Sequence, residues 1–231
     1  MVNNTWCHLL HFLQAHGIDN YQDGSYRGVS CHCDNYLEGL RHSLSIGMDR
    51  ESVIETLRLE LHHITANELI SLFETPEDSW IFEGKSFTNP HRELMDHSGP
   101  LVWRVPQVKI DPSVNTWFVR WIVLKLSREI IGSTSFHGSP DAEGMIEIGL
   151  AINQKFQNQG YGFEALGGMW SWVCRHPEVK TLRYTVSADN AASIALVIKF
   201  GFQHVGQQMD EIDGPEEIYE LSVEKFKALK F

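Results

Sequence analysis

The sequence predicts a mixed α+β (or α/β) domain built around one sheet, and three observations predict it. Strand-like runs follow one another at residues 117–126, 130–138 and 145–152. A glycine turn, "QNQGYG", then opens directly into a long amphipathic segment. Beyond that the pattern reads strand, helix, two strands, which is the alternation of a single mixed sheet with helices packed on it.

Each element has a local reason. In "TLRLELHHIT", Leu57, Leu59 and Leu61 alternate with Arg58, Glu60 and His62, the period of a half-buried strand. Thr65 caps the following "ANELISLFE" helix, with Glu68 completing a capping box. Residues 75–112 hold five prolines, and the weak periodicity there predicts a helix only near 91–96. "SRE" joins the runs at 117–126 and 130–138 as a hairpin, and "MIEIGLAI" is a third strand. The helix after QNQGYG spans about 161–175, buries Phe163, Leu166, Trp170 and Val173, and is stopped by Pro177. "TLRYTVS" is a strand with Leu182, Tyr184 and Val186 on one face. Asp189 or Asn190 caps a helix running to Phe200, and Gly201 follows it. "FQHVGQQM" and "EEIYELSV" close the sheet.

Residues 1–47 differ in texture. A short helix around Trp6, Leu9, Leu10 and Leu13 precedes a loop-rich run, so the chain divides into an N-terminal extension (1–47) and a main domain (48–231). Met48 is the alternative start. Cys7, His8, His11, His16, Cys31, His32 and Cys33 invite a zinc reading, but their spacing fits no standard site, and no metal is expected.

The formal net charge of −11 argues against a nucleic-acid partner, which needs a basic face. No run approaches a membrane span, so no membrane partner is expected. The lack of a signal peptide pattern and the four cysteines read as a cytoplasmic protein with reduced thiols.

Two stretches carry chemistry. In the third strand Glu147 shares a face with Gly149 and Ala151, opposite Ile146, Ile148, Leu150 and Ile152. A carboxylate beside two small residues is either a solvated surface group or a group with room for a ligand. QNQGYG offers free N–H groups at a helix start, where an anion is welcome, but a Gly-x-Gly is equally a plain turn. It is neither a Walker loop nor the dinucleotide fingerprint.

These residues resemble a known family. QNQGYG fits the Q/R-x-x-G-x-G/A signature of the GCN5-related N-acetyltransferases (GNAT), and "IEIGLAINQKFQNQGYGFEALGGMWSWV" looks like that family's signature strand, loop and helix. "NAASIALVIKFGF" resembles the Asn-x-x-Ser … Lys-x-Gly-Phe helix of the ribosomal-protein-alanine acetyltransferase (Rim-type) branch. The resemblance covers roughly residues 54–226.

It implies a mostly antiparallel mixed central sheet of about six to seven strands flanked by helices. It implies acetyl-CoA as co-substrate and an amine acceptor, with transfer in a ternary complex of a monomer or homodimer. The pantetheine would lie where the strand holding Ile148, Leu150, Ala151 and Ile152 splays from the strand at 182–187. The pyrophosphate would meet Gln157, Asn158, Gln159, Gly160, Tyr161 and Gly162. Asn190, Ser193 and Lys199 would complete the coenzyme site.

Glu147 is the candidate base and Ser193, or water, the candidate proton donor to the departing thiolate. The family's usual donor tyrosine is replaced here by Val197. Cys174, near a helix C-terminus, reads as core packing rather than as a nucleophile. The acceptor implied is a small cationic amine or a protein N-terminus, drawn by the acidic "MDEIDGPEE" rim, with Trp103, Trp117 and Trp121 as possible walls. The alternative is an acyl-CoA-binding sensor or interaction module without turnover.

Overall fold

A computed structural model describes residues 51–96, 99–210 and 214–229. The N-terminal extension, its boundary at 47/48 and the Cys/His set lie outside the described residues.

Among the described residues eight strands form one sheet: β1 (Ile54–Glu55), β2 (Leu59–His63), β3 (Arg120–Leu124), β4 (Glu129–Phe136), β5 (Met145–Ile152), β6 (Thr181–Ser187), β7 (Gln203–Asp210) and β8 (Gly214–Ser222). Their order is β1-β2-β3-β4-β5-β6-β8-β7, and only the β5–β6 pair is parallel. Five α-helices of the described residues accompany them: α1 (Ala66–Glu74), α2 (Leu101–Ile110), α3 (Tyr161–Val173), α4 (Ala191–Lys199) and α5 (Val223–Ala228). This is the expected mixed, mostly antiparallel sheet, with a short extra strand at the β1 edge. Among the described residues no helix is long and apolar enough to cross a membrane.

Local chemistry explains most of the boundaries. Thr65 caps α1 through a full capping box: its side chain accepts from the Glu68 amide, and Glu68 Oε2 accepts from Thr65 N at 2.9 Å. Lys85 pairs with the other Glu68 oxygen at 2.5 Å. Asn190 accepts from Ser193 N to start α4, and Gly201 follows it at φ +86°.

Two expectations are corrected. Leu57 is 88% exposed rather than inward, because Thr56 N bonds Leu59 O and makes residues 57 and 58 the turn of the β1–β2 hairpin. The strand face is then Leu59, Leu61 and His63. Second, no helix forms at 91–96, where Arg92 and Leu94 hold φ of +56° and +62°, values closed to a right-handed helix. The helix of this region is α2. It tolerates Pro106 inside it, losing the bond to the carbonyl of Val102, because Leu101, Val105 and Val108 are buried by it.

The helices sit on both faces of the sheet. On β4, Phe136 packs on Trp170 of α3, with ring centroids 5.9 Å apart, while the neighbouring Ser135 meets Arg104 of α2. Adjacent strand residues point to opposite faces, so α3 and α2 cover opposite sides.

The adjacent glycines of α3 differ in what they allow. A Cβ on Gly168 would stand 2.9 Å from the methyl of Thr56, whose hydroxyl is tied to Leu59 O and to Glu164. A Cβ on Gly167 would meet only the Phe200 ring at 3.7 Å. Thermal or urea unfolding should therefore give opposite signs. Gly167→Ala should stabilise by roughly 0.5–1 kcal/mol through helix propensity. Gly168→Ala should destabilise by about 1 kcal/mol or more, because α3 must lift from the β1–β2 hairpin.

Candidate active site

The site begins where two strands part. β5 and β6 pair only through Met145–Glu147 against Thr181–Arg183. Beyond that β5 stays with β4 as far as Ile152, and β6 stays with β8 as far as Ser187. A wedge-shaped opening results, with strand backbone on both walls. The Glu147 carbonyl accepts from His137 N on β4, so the alternate residues Ile148, Leu150 and Ile152 turn their backbone groups toward the opening. Ala151, directly across from Ser133, turns its own toward β4 and leaves an exposed side chain.

The loop after β5 closes the wide end. Gln157 donates to Ile152 O at 2.9 Å, which fixes the loop to the strand end, and Gln159 donates to Lys155 O at 3.0 Å. Asn158 (φ +60°) and Gly160 (φ +79°) turn the chain into α3. The backbone N–H groups of Asn158, Gln159 and Gly160 have no acceptor among the described residues. Those of the first turn of α3, from Tyr161, are free by helix geometry. Gly162 is in the throat: a Cβ there would lie 3.2 Å from both Leu150 and Leu196. The result is a convergent set of donors at the positive end of a 13-residue helix. Lys199 stands near the same end, its Nζ 4.3 Å from the Phe163 ring centroid. Asn190 and Ser193 lie across the opening, at the start of α4.

Sequence reading missed the clamp that holds this loop. Arg58, at the tip of the β1–β2 turn, donates from Nη1 to Gln159 O at 3.0 Å and pairs through Nε with Glu164 at 2.6 Å. Its guanidinium lies 4.3 Å over the Tyr161 ring. Glu164 also accepts from Arg58 N at 2.5 Å and Thr56 Oγ1 at 2.6 Å. Glu164 is thus a structural hydrogen-bond acceptor. Burial pushes its pKa up, but the Thr56 hydroxyl, the Arg58 amide and the Arg58 guanidinium outweigh that and hold it below the usual carboxylate range.

Glu147 lies on the other side of the sheet, with its side chain 15% exposed. His137 Nδ1 is 3.1 Å from its Oε1, and Thr185 donates its hydroxyl to the same oxygen. Burial raises its pKa, yet His137, Thr185 and Arg183 together hold the carboxyl below its ordinary value. It is therefore ionised at neutral pH. The imidazole fits because residue 149 is glycine: a Cβ there would stand 3.2 Å from His137 Nε2. The small residues that left room beside Glu147 make room, at least at Gly149, for a second titratable group. The sequence carried no signal for that pairing beyond the Gly149 gap itself.

Ser193 stands near a group that sequence reading also missed. Burial raises the pKa of the buried Tyr184 hydroxyl, and the nearby Ser193 hydroxyl works against the rise. Val197 is fully buried. Cys174 is buried and its thiol is pushed up to about 11 by burial, as core packing requires. Of the acidic rim, Glu211 and Asp213 lie outside the described residues. Glu216 accepts from Gln208, and Glu217 pairs with His204 at 2.5 Å and accepts from Gln207. Trp117 and Trp121 are buried in packing, and only Trp103 is substantially exposed.

Residues 58–203, more than half of the chain, match the family model described as "Acetyltransferase (GNAT) domain". The chain belongs to this family. The GNAT chain is 37% identical over 86 residues to the "Uncharacterized N-acetyltransferase YjdG" of Bacillus subtilis (strain 168), a match covering 37% of this chain and 51% of that protein. It thus spans about half the length of that curated relative. Among solved structures it is similar to an acetyltransferase (GNAT family) from Bacillus anthracis (TM-score 0.51, 19% identity, 75% of this chain and 99% of that one). It is similar as well to RimL, a ribosomal L7/L12 alpha-N-protein acetyltransferase in complex with coenzyme A (TM-score 0.52, 14% identity, 75% and 99% coverage). These likenesses show the GNAT fold.

Glu164 gives a pH test of the loop clamp. Its folded pKa is lowered, so its contribution is fully present above the unfolded value of about 4.3 and is lost as pH falls through the folded value. Glu164→Gln should cost roughly 1–3 kcal/mol at neutral pH. The gap from wild type, measured by urea unfolding, should close progressively below about pH 4.3.

Proposed function

We propose that the protein moves the acetyl group of acetyl-CoA to a primary amine by direct attack in a ternary complex. The observation that carries this reading is the β5–β6 opening ending at a helix N-terminus with unclaimed N–H groups. Such a cradle suits a pyrophosphate, and the slot behind it suits an extended arm that bonds strand backbone. Gln157, Asn158, Gln159, Gly160, Tyr161 and Gly162, aided by Lys199, hold the diphosphate. Ile148, Leu150, Ala151 and Ile152 line one side of the pantetheine, and Asn190 and Ser193 the other.

The reaction needs four things: a neutral amine, a polarised thioester, an exit for one proton and a proton for the thiolate. The amine nitrogen attacks the thioester carbon, and the carbonyl oxygen takes the electron pair. Strand N–H groups facing the opening, from Leu150 and Ile152, stabilise that oxyanion. The C–S bond then breaks, and the nitrogen's proton leaves to the Glu147–His137 pair. Glu147, ionised and in contact with an imidazole, is equipped to receive it. The thiolate takes a proton from Ser193, at the start of α4, or from water. Bringing amine and thioester together in one slot supplies the proximity term, and no covalent enzyme intermediate is required. The acceptor class is a small cationic amine or a polypeptide N-terminus. The competing reading is a domain that binds acyl-CoA without turnover.

Thiol release from acetyl-CoA across a panel of amines separates the two. The proposal expects amine-dependent release; tight acetyl-CoA binding with no release on any amine supports the sensor, and absence of binding removes both. Glu147→Gln should lower kcat/KM by about 10²-fold and alter its dependence on pH. A pH–rate profile identical to wild type takes Glu147 out of the proton path.

A further inference from the structure

Arg104 is the charged group on the Glu147 face that no described carboxylate pairs. It comes from α2, is only 6% exposed, and reaches across to β4. Its Nε donates to Ser135 Oγ at a long 3.4 Å, and its guanidinium carbon lies 5.4 Å from the centroid of the buried Phe118 ring. Its two Nη nitrogens have no hydrogen-bond partner among the described residues, yet neither is sealed from solvent. Burial pulls its pKa down to about 10, with the Glu147 charge acting the other way, so it remains a cation at neutral pH.

A buried guanidinium with one long hydrogen bond is costly to maintain. Arginine presents a planar fork of donors whose natural complement is a carboxylate or phosphate gripped by two parallel bonds. Here the fork is half used.

Its position gives the unused half a target. Ser135 stands directly opposite Gly149 in the β4–β5 register. Glu147 and His137 form the next same-face pair along the ladder. Two strand residues separate the pairs, about 7 Å along the sheet. An amine delivering its proton to the Glu147–His137 pair therefore has Arg104 beside it, a short spacer away. For an acceptor without a negative group, Arg104 is a like charge, offset only in part by Glu147, that resists the incoming ammonium. For an acceptor with one, the same residue is an anchor that fixes the nitrogen's direction of approach.

We propose that Arg104 is the anion subsite of the acceptor pocket, and that the acceptor is an amine carrying a carboxylate or phosphate a few bonds from its nitrogen, of the amino-acid kind. The proposal rests on the acetyl-transfer reading above and narrows it away from polyamines.

The test compares acceptor pairs that differ only in charge: 4-aminobutanoate with its amide, β-alanine with its amide, and glycylglycine with its amide, by thiol release from acetyl-CoA. The acids should be preferred in kcat/KM by at least about tenfold. In Arg104→Met, with folding checked by circular dichroism and melting temperature, that ratio should fall to about one, chiefly through KM. Arg104→Lys should keep part of it. Equal use of acid and amide by the wild type overturns the proposal, as does a preference that survives in Arg104→Met, and neither result touches the acetyl-transfer reading. Release with a polyamine but with none of the acids also overturns it. If no amine is used, the subsite proposal falls. Acetyl-CoA binding, followed by thermal shift, then separates that failure from failure of the coenzyme site itself.

Discussion

Everything in this protein's chemistry hangs on one constraint: β5 cannot follow β6 past Glu147 and Arg183. β5 is held by β4 along its whole exit, through the register from Phe136–Ile148 to Gly132–Ile152. β6 is held equally firmly by β8, from Thr181–Ser222 to Ser187–Glu216. Each strand keeps its outer partner and gives up its inner one. The strand edges so released are unpaired backbone in the middle of a sheet, which a folded protein leaves unsatisfied only where a ligand or water completes them. The opening is thus both the slot proposed for the coenzyme and a liability, and the sheet tolerates it because eight strands share the remaining ladder.

The two ends of the opening are built differently. At the loop end, α3 begins just beyond the strand, and Arg58, Thr56 and Glu164 pin that start to the β1–β2 hairpin. A long-range clamp is needed because Asn158 and Gly160 supply a turn but no rigidity. At the closed end, the last shared pair of β5 and β6 brings Glu147 beside Arg183, and β4 adds His137. In the proposed mechanism, anion recognition and proton transfer therefore occupy opposite ends of one slot. They also sit on opposite faces of the sheet, in keeping with α3 covering one and α2 the other.

Much of this was legible in the chain. β5 and β6 follow their sequence signals closely because each has a clear period, and α1 and α4 because each also has a cap of its own, Thr65 with Glu68 and Asn190 with Ser193. The glycine loop was legible as a motif and Glu147 as a carboxylate among small residues. What stayed hidden was pairing over long separations. Arg58 looked like the polar side of a strand, yet its partner Glu164 is 106 residues away. Arg104 lay in a proline-broken stretch whose helix was expected ten residues earlier; Pro106 and Pro100 mask the Leu101–Val105–Val108 stripe. His137 read as a strand end, since only the β4–β5 register brings it to Glu147. Periodicity reports which face a residue takes, not which residue across the sheet it will meet.

On the proposed reading, coenzyme A occupies the β5–β6 opening with its diphosphate on the loop at 157–162. Amide hydrogen exchange of the full chain with and without coenzyme A tests it most directly. Slowed exchange is expected in peptides covering 148–164 and 187–193, where unclaimed N–H groups gain acceptors, with β2, β3 and β7 unchanged. Protection confined to other segments, or none at saturating coenzyme A, would contradict it.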